Sequence, residues 1–190
     1  MDEGGRTMLV LASSSPRRVS ILKDAGIDFI VEPSLIDENI DEKMKPIDLV
    51  LELAKLKAIH VAPKFPNDIV LGADTIVVYE DEVLGKPKDE EDAYRMLKKL
   101  SGETHIVYTA VALIKGEKIE SFVSATEVSM KKLSDLEIRN YIQTKEPMDK
   151  AGAYGIQGEG GNLVDHYKGD FFTIVGLPLK EVLEQLKKFK

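Results

Sequence analysis

The chain has 190 residues, of which 43% are apolar and 31% charged, with a net charge of −7 and no cysteine. At ~150 residues per domain this is one domain, so a single unit over 1–190 is expected, with residues 1–6 as a loose tail. No apolar run approaches the ~20 residues of a membrane span, the missing cysteines exclude disulfide frameworks, thiolate zinc sites and thiol nucleophiles, and the acidic balance argues against a sequence-independent grip on nucleic acid.

The N-terminal segment has no basic stretch ahead of its short apolar run, so no secretory signal is expected. Residues 8–12 (MLVLA) read as a buried strand. Ser13 to Ser15 break it, and Pro16 opens a helix that ends at Gly26, with serine as the cap and proline at the first helical position. Residues 28–31 read as a second strand, and 46–61 as a helix. Residues 69–78 (IVLGADTIVV) read as a buried strand interrupted by Gly-Ala-Asp-Thr. Residues 89–100 form a helix with Ala93, Met96, Leu97 and Leu100 on one face. The β-branched stretches 105–114 and 119–130 form a long hairpin around Lys115-Gly116-Glu117-Lys118. Residues 136–142 are helical, 152–161 are glycine-rich, 170–175 read as a last strand, and 178–189 as a closing helix. Alternating strands and helices followed by a hairpin predict a mixed α/β domain. Abundant Lys and Glu with scarce Asn and Gln lean towards heat stability.

Five places carry residues suited to chemistry. Ser13, Ser15, Arg17 and Arg18 lie between a strand and a helix N-terminus, where hydroxyls, guanidinium groups and the positive end of the helix dipole suit a phosphate. A capped helix with two solvated arginines is the simpler alternative. Asp74 interrupts an apolar run, so its carboxylate is desolvated and needs a partner, a metal or a task. Equally, it could cap a turn at the strand end. Its neighbour Thr75 adds a hydroxyl, although on a flat strand the two face opposite sides. Lys57 falls on the stripe Val50, Ala54, Lys57, Val61, near the middle of an apolar helix face, where a lysine needs an acidic partner or must snorkel. Lys86 is presented from a Gly-Lys-Pro turn and could hold a phosphate or simply be exposed. Gln157 sits among five glycines in ten residues and could pair with the amide-like edge of a base, or lie on a flexible loop. There is no P-loop, no dinucleotide fingerprint and no metal-ligand spacing among His60, His105 and His166.

LASSSPRR at 11–18, GADTIVV at 72–78, LGKP at 84–87, LSGETH at 100–105, DKAGAYGIQG at 149–158 and VGLPL at 175–179 occur in this order. In this combination the chain resembles the Maf family of nucleoside triphosphate pyrophosphatases over nearly its whole length. The resemblance implies an elongated, two-lobed α/β fold with a mixed sheet and a central cleft, like that of the inosine triphosphate pyrophosphatases. It implies hydrolysis of a nucleoside triphosphate to the monophosphate and pyrophosphate with a divalent cation, Mg²⁺ or Mn²⁺. It carries the catalytic base onto Asp74, and Lys57 and Glu38 into the catalytic or metal shell, with Asp74 and Glu38 as metal ligands. Arg17, Thr75 and Gln157 match the residues that mark the dTTP- and UTP-hydrolysing subgroup, with modified pyrimidine nucleotides as further candidates. Ser13, Ser15, Arg18 and Lys86 join them as substrate-binding residues. Ser14 departs from the glycine often found there. The resemblance further implies a cytoplasmic protein with no membrane or nucleic-acid partner, and it allows a homodimer. The competing function is a nucleotide-binding regulator of septum formation that acts through protein partners.

Overall fold

The computed structural model describes residues 7–36 and 43–189. The chain divides into two compact units. The first comprises the described residues of Met1–Asp74, with Ala110–Val123 and the described residues of Gly176–Lys190; the second comprises Thr75–Thr109 and Ser124–Val175.

In the first unit, strand β1 (Leu9–Leu11) lies between β2 (Phe29–Val31) and β3 (Ile69–Tyr79), parallel to both. Leu9 faces Phe29 on one side and Ile69 on the other. Helix α1 (Pro16–Asp24) follows β1 and starts as the sequence signals: Ser15 is the cap, its side chain accepts from the Arg18 N–H, and Pro16 begins the helix. Gly26, at φ +69°, ends that turn. Helix α2 (Pro46–Val61) buries Leu49, Val50, Leu53, Ala54, Ala58 and Val61. It packs on β3 at Gly72. A β-carbon there would lie 2.7 Å from the Ala58 nitrogen and closer still to the Ala54 carbonyl oxygen.

That contact corrects one expectation. Gly-Ala-Asp-Thr does not interrupt the strand: β3 runs unbroken from Ile69 to Tyr79. Gly72 is there for the close approach of a helix, not for a turn.

In the second unit, β3 turns at Glu80 and Asp81, both at positive φ, into the antiparallel strand β4 (Glu82–Leu84). Helix α3 (Glu90–Leu100) is capped by the Asp89 side chain and buries the expected face of Ala93, Met96, Leu97 and Leu100. That face packs in a cluster with Val77, Leu84, Val107, Val128, Ile138, Ile142 and Tyr154, among others. Strands β5 (Thr104–Lys115) and β6 (Lys118–Met130) flank the predicted Gly116 turn. Helix α4 (Asp135–Gln143) opens with a capping box between Ser134 and Glu137. The sheet order is β2-β1-β3-β5-β6-β7, with β4 on β3, so parallel and antiparallel pairs are mixed as expected.

The last strand is displaced from its expected place. Strand β7 (Val164–Lys168) pairs with β6, whereas residues 170–175 hold a short helix, α5 (Phe171–Val175). Asp170 decides this. Its carboxylate accepts from the Phe172 N–H at 3.0 Å, and its carbonyl accepts from the Thr173 N–H at 3.2 Å. Local capping outweighs the strand preference of Phe-Phe-Thr-Ile-Val. Helix α6 (Leu179–Leu186) closes the chain, followed by a single 3-10 turn.

Gly72→Ala should destabilise the fold by about 1–3 kcal/mol, the usual cost of overpacking, read as a lower urea midpoint. An unchanged midpoint would contradict the close packing of α2 on β3.

Candidate active site

Two charged residues singled out in the sequence meet in the first unit. The Lys57 ammonium, from α2, donates to Asp74 Oδ1, from β3, at 2.6 Å. Their side chains retain only 12% and 10% of their exposure. The alternatives of a snorkelling lysine and a turn-capping aspartate are thereby set aside. Gly72 and Asp74 are two residues apart and so share the strand face that α2 covers. The ammonium fixes one carboxylate oxygen of Asp74 through a charge-assisted hydrogen bond.

The serine–arginine loop lies at the same end of the parallel strands. Leu11 is level with Leu71, and the Ala12 N–H donates to the Leu71 carbonyl at 2.8 Å. Strand β1 ends at Leu11, so the chain leaves it beside Leu71, three residues before Asp74 on β3. Loops at the carboxyl ends of parallel strands, followed by a helix N-terminus, suit anionic ligands.

Inside the loop the groups divide their work. Ser13 Oγ accepts from the Ser15 N–H at 3.2 Å and from an Arg18 terminal nitrogen at 3.1 Å. Arg18 is buried, and its Nε donates to the Gly176 carbonyl at 2.8 Å. Arg18 therefore holds the loop in shape from within, while Arg17 is half-buried beside it. Ser14 is exposed and is not among the described residues at positive φ, so the loop needs no glycine there.

The remaining candidates belong to the second unit. The Thr75 and Thr109 hydroxyls are 2.8 Å apart, and Thr109 donates onward to the Thr173 carbonyl at 2.8 Å. The proton between the two threonines therefore comes from Thr75. Lys86 and Gln157 are both exposed. Thr109 and Thr173 were not singled out in the sequence, since buried hydroxyls inside strand or helix patterns carry no distinctive spacing. Glu38 lies outside the described residues. Among the described residues there is no group of three metal-ligating side chains, and no helix is long and apolar enough to cross a membrane.

The second unit also joins two of the quoted motifs. His105 is buried, and its Nε2 is 2.6 Å from the Tyr154 hydroxyl. Burial lowers its pKa to about 4. It is therefore a neutral packing histidine.

A family model for Maf-like protein matches residues 8–189. The chain belongs to the Maf family. A Maf relative from Acholeplasma laidlawii, named dTTP/UTP pyrophosphatase, is 50% identical over 183 residues, covering 96% of each chain. Another of that name, from Bacillus cytotoxicus, is 49% identical over 180 residues, covering 95% of this chain and 94% of the relative. A third, from Bacillus cereus, is 48% identical over 181 residues. The mixed seven-strand sheet fits the Maf assignment.

His105 makes a pH prediction for this Maf chain. Above pH 6.5 the histidine is neutral in both folded and unfolded states. Between 6.5 and about 4 the unfolded chain takes up a proton that the folded chain refuses, so stability falls as pH falls through that window. Urea unfolding should show the native protein losing about 2 kcal/mol more than His105→Gln between pH 7.5 and 5. Equal losses would contradict a neutral His105.

Proposed function

We propose that this chain is a nucleoside triphosphate pyrophosphatase that hydrolyses dTTP and UTP to the monophosphate and pyrophosphate. The observation that carries the proposal is the desolvated Lys57–Asp74 pair, with Asp74 on β3 three residues past the point where the chain leaves β1 for the Ser13–Arg18 loop. Relatives at about half identity over nearly the full length bear the dTTP/UTP pyrophosphatase name. The family match runs through both units without a break, which supports treating 1–190 as one functional domain. Both substrates belong to the nucleotide pool, which makes the cytoplasm the compartment of this activity.

Water is the nucleophile and the α-phosphorus its target. Asp74 orients the water or accepts its proton while the new P–O bond forms. The bond to the bridging oxygen breaks, and pyrophosphate leaves with the electron pair. Lys57 fixes Asp74 through their ion pair and, with Arg17, opposes the charge that builds on the phosphate oxygens. Arg18 shapes the loop that presents Arg17, and the hydroxyls of Ser13 and Ser15 fix its turn. Lys86, as the family resemblance has it, is a further cation for the leaving group. Thr75 is fixed by Thr109, and Gln157 matches the N3–H and carbonyl edge of a pyrimidine.

Asp74 and Glu38 offer hard carboxylate oxygens, and ions such as Mg²⁺ or Mn²⁺ need only one or two of these when substrate phosphates supply the rest. The ammonium beside Asp74 disfavours a tight all-protein cage and fits an ion that arrives with the triphosphate. When bound, the cation would neutralise phosphate oxygens and acidify a coordinated water.

Pyrophosphate release should be measured across a panel of nucleoside triphosphates, with and without Mg²⁺. dTTP and UTP should exceed the purine nucleotides by on the order of tenfold or more. Asp74→Asn, which keeps the shape, should lose on the order of 10²–10⁴ in kcat with an unchanged circular dichroism spectrum. Faster purine turnover would overturn the base specificity. Undiminished turnover in Asp74→Asn would overturn the catalytic assignment.

A further inference from the structure

Gln157 is exposed on a glycine-rich segment outside any strand or α-helix. Such a side chain distinguishes one base edge from another only if its backbone is held still. The second unit holds it with two residues that the proposed chemistry does not use. Glu146 Oε2 accepts from the Glu159 N–H at 3.0 Å, and its Oε1 accepts from the Gly160 N–H at 3.1 Å and from the Tyr141 hydroxyl at 2.8 Å. The same hydroxyl accepts from the Gly155 N–H at 3.1 Å. One phenol–carboxylate pair thus takes main-chain donors from both sides of Gln157.

The glycines are shaped to this pair. A β-carbon on Gly160 would lie 2.5 Å from the Tyr141 hydroxyl oxygen. One on Gly158 would lie 2.7 Å from the Glu146 carboxyl carbon and closer still to Oε2. Glu146 is itself placed firmly. Lys145, at φ +64°, turns the chain out of α4, the Thr144 hydroxyl accepts from the Glu146 N–H at 3.2 Å, and Lys150 donates to the Glu146 carbonyl at 3.1 Å. The Tyr141 ring is buried in the cluster of the second unit.

The charge states suit the contact. Burial raises the pKa of Tyr141 further above its ordinary range, so its hydroxyl stays protonated and can donate. Burial also pushes Glu146 upward, but the Tyr141 hydroxyl and the N–H groups of residues 160 and 159 outweigh it and hold the carboxyl below its ordinary value.

We propose that Glu146 and Tyr141 are positioning residues for pyrimidine recognition: they do not touch the nucleotide but clamp residues 155–160, so that Gln157 meets the base in one geometry. This rests on the base-reading role given to Gln157 above.

The test compares kcat, KM and calorimetric affinity for UTP and GTP in the native protein, Glu146→Gln, Tyr141→Phe, Gln157→Ala and the double variant Glu146→Gln/Gln157→Ala. Thermal midpoints are measured alongside. Tyr141→Phe keeps the buried ring and removes only the hydroxyl, so it serves where Glu146→Gln folds poorly. Expected for both clamp variants is a preference for UTP over GTP that falls roughly ten- to hundredfold, chiefly through KM and affinity. In the double variant, Glu146→Gln should add little to the loss from Gln157→Ala. A preference that survives both clamp variants but falls in Gln157→Ala overturns the clamp and leaves the base reading intact. Fully additive losses also overturn the clamp. A native protein that binds or turns over UTP and GTP alike, or a Gln157→Ala variant that keeps the preference, overturns the base reading together with the clamp.

Discussion

A carboxylate in the middle of a buried strand is costly unless a positive charge reaches it, and Lys57 is the group that reaches Asp74. Much of the first unit follows from that need. The lysine stem is long, but its head arrives in place only if α2 lies close on β3. Gly72 opens the space, and the small residues Ala54 and Ala58 fill it from the helix side. The pair is weak evidence for stability, since desolvation of two charges offsets most of their attraction. What the pair provides is a fixed geometry: a carboxylate held at one position with an ammonium beside it, on β3 three residues past its last pairing with β1.

Polar groups buried elsewhere hold chemistry-bearing side chains in a similar way. Arg18 spends its guanidinium on Ser13 and the Gly176 carbonyl, which stiffens the loop presenting Arg17. In the second unit the Thr75 hydroxyl donates to Thr109, the Thr109 hydroxyl donates to the Thr173 main-chain carbonyl, and the Thr173 hydroxyl pairs separately with Ser124. Each of these hydroxyls has a partner, so the contacts order this part of the unit without leaving one of them unmet. The Tyr141–Glu146 pair treats the glycine segment likewise. Glycine permits the tight path there, and the side chains that contact the path select one conformation.

Much of this was legible in the sequence. Ser-Pro marked the start of α1, the apolar stripe turned Lys57 inward, and the polar break in an apolar run marked Asp74. What the pattern could not give was the partner: residues 57 and 74 are individually anomalous, and only the packing of α2 on β3 joins them. Arg17 and Arg18 look alike in sequence, yet one is buried in its loop, a difference set by the distant carbonyl of Gly176. Strand β7 has a mostly exposed surface and no apolar alternation, so it gave no signal. Residues 170–175 gave the wrong one, because β-branched and aromatic residues suggested a strand while Asp170 capped a helix. The contacts of Tyr141 and Glu146 depend on turns that no short motif announces.

The most direct measurement is a structure of the protein with a UTP analogue whose α,β-bridge resists hydrolysis. The account predicts the α-phosphate beside the residue 57 and 74 side chains, with a water between Asp74 and phosphorus at about 3 Å from the carboxylate. A triphosphate bound away from both side chains would contradict it.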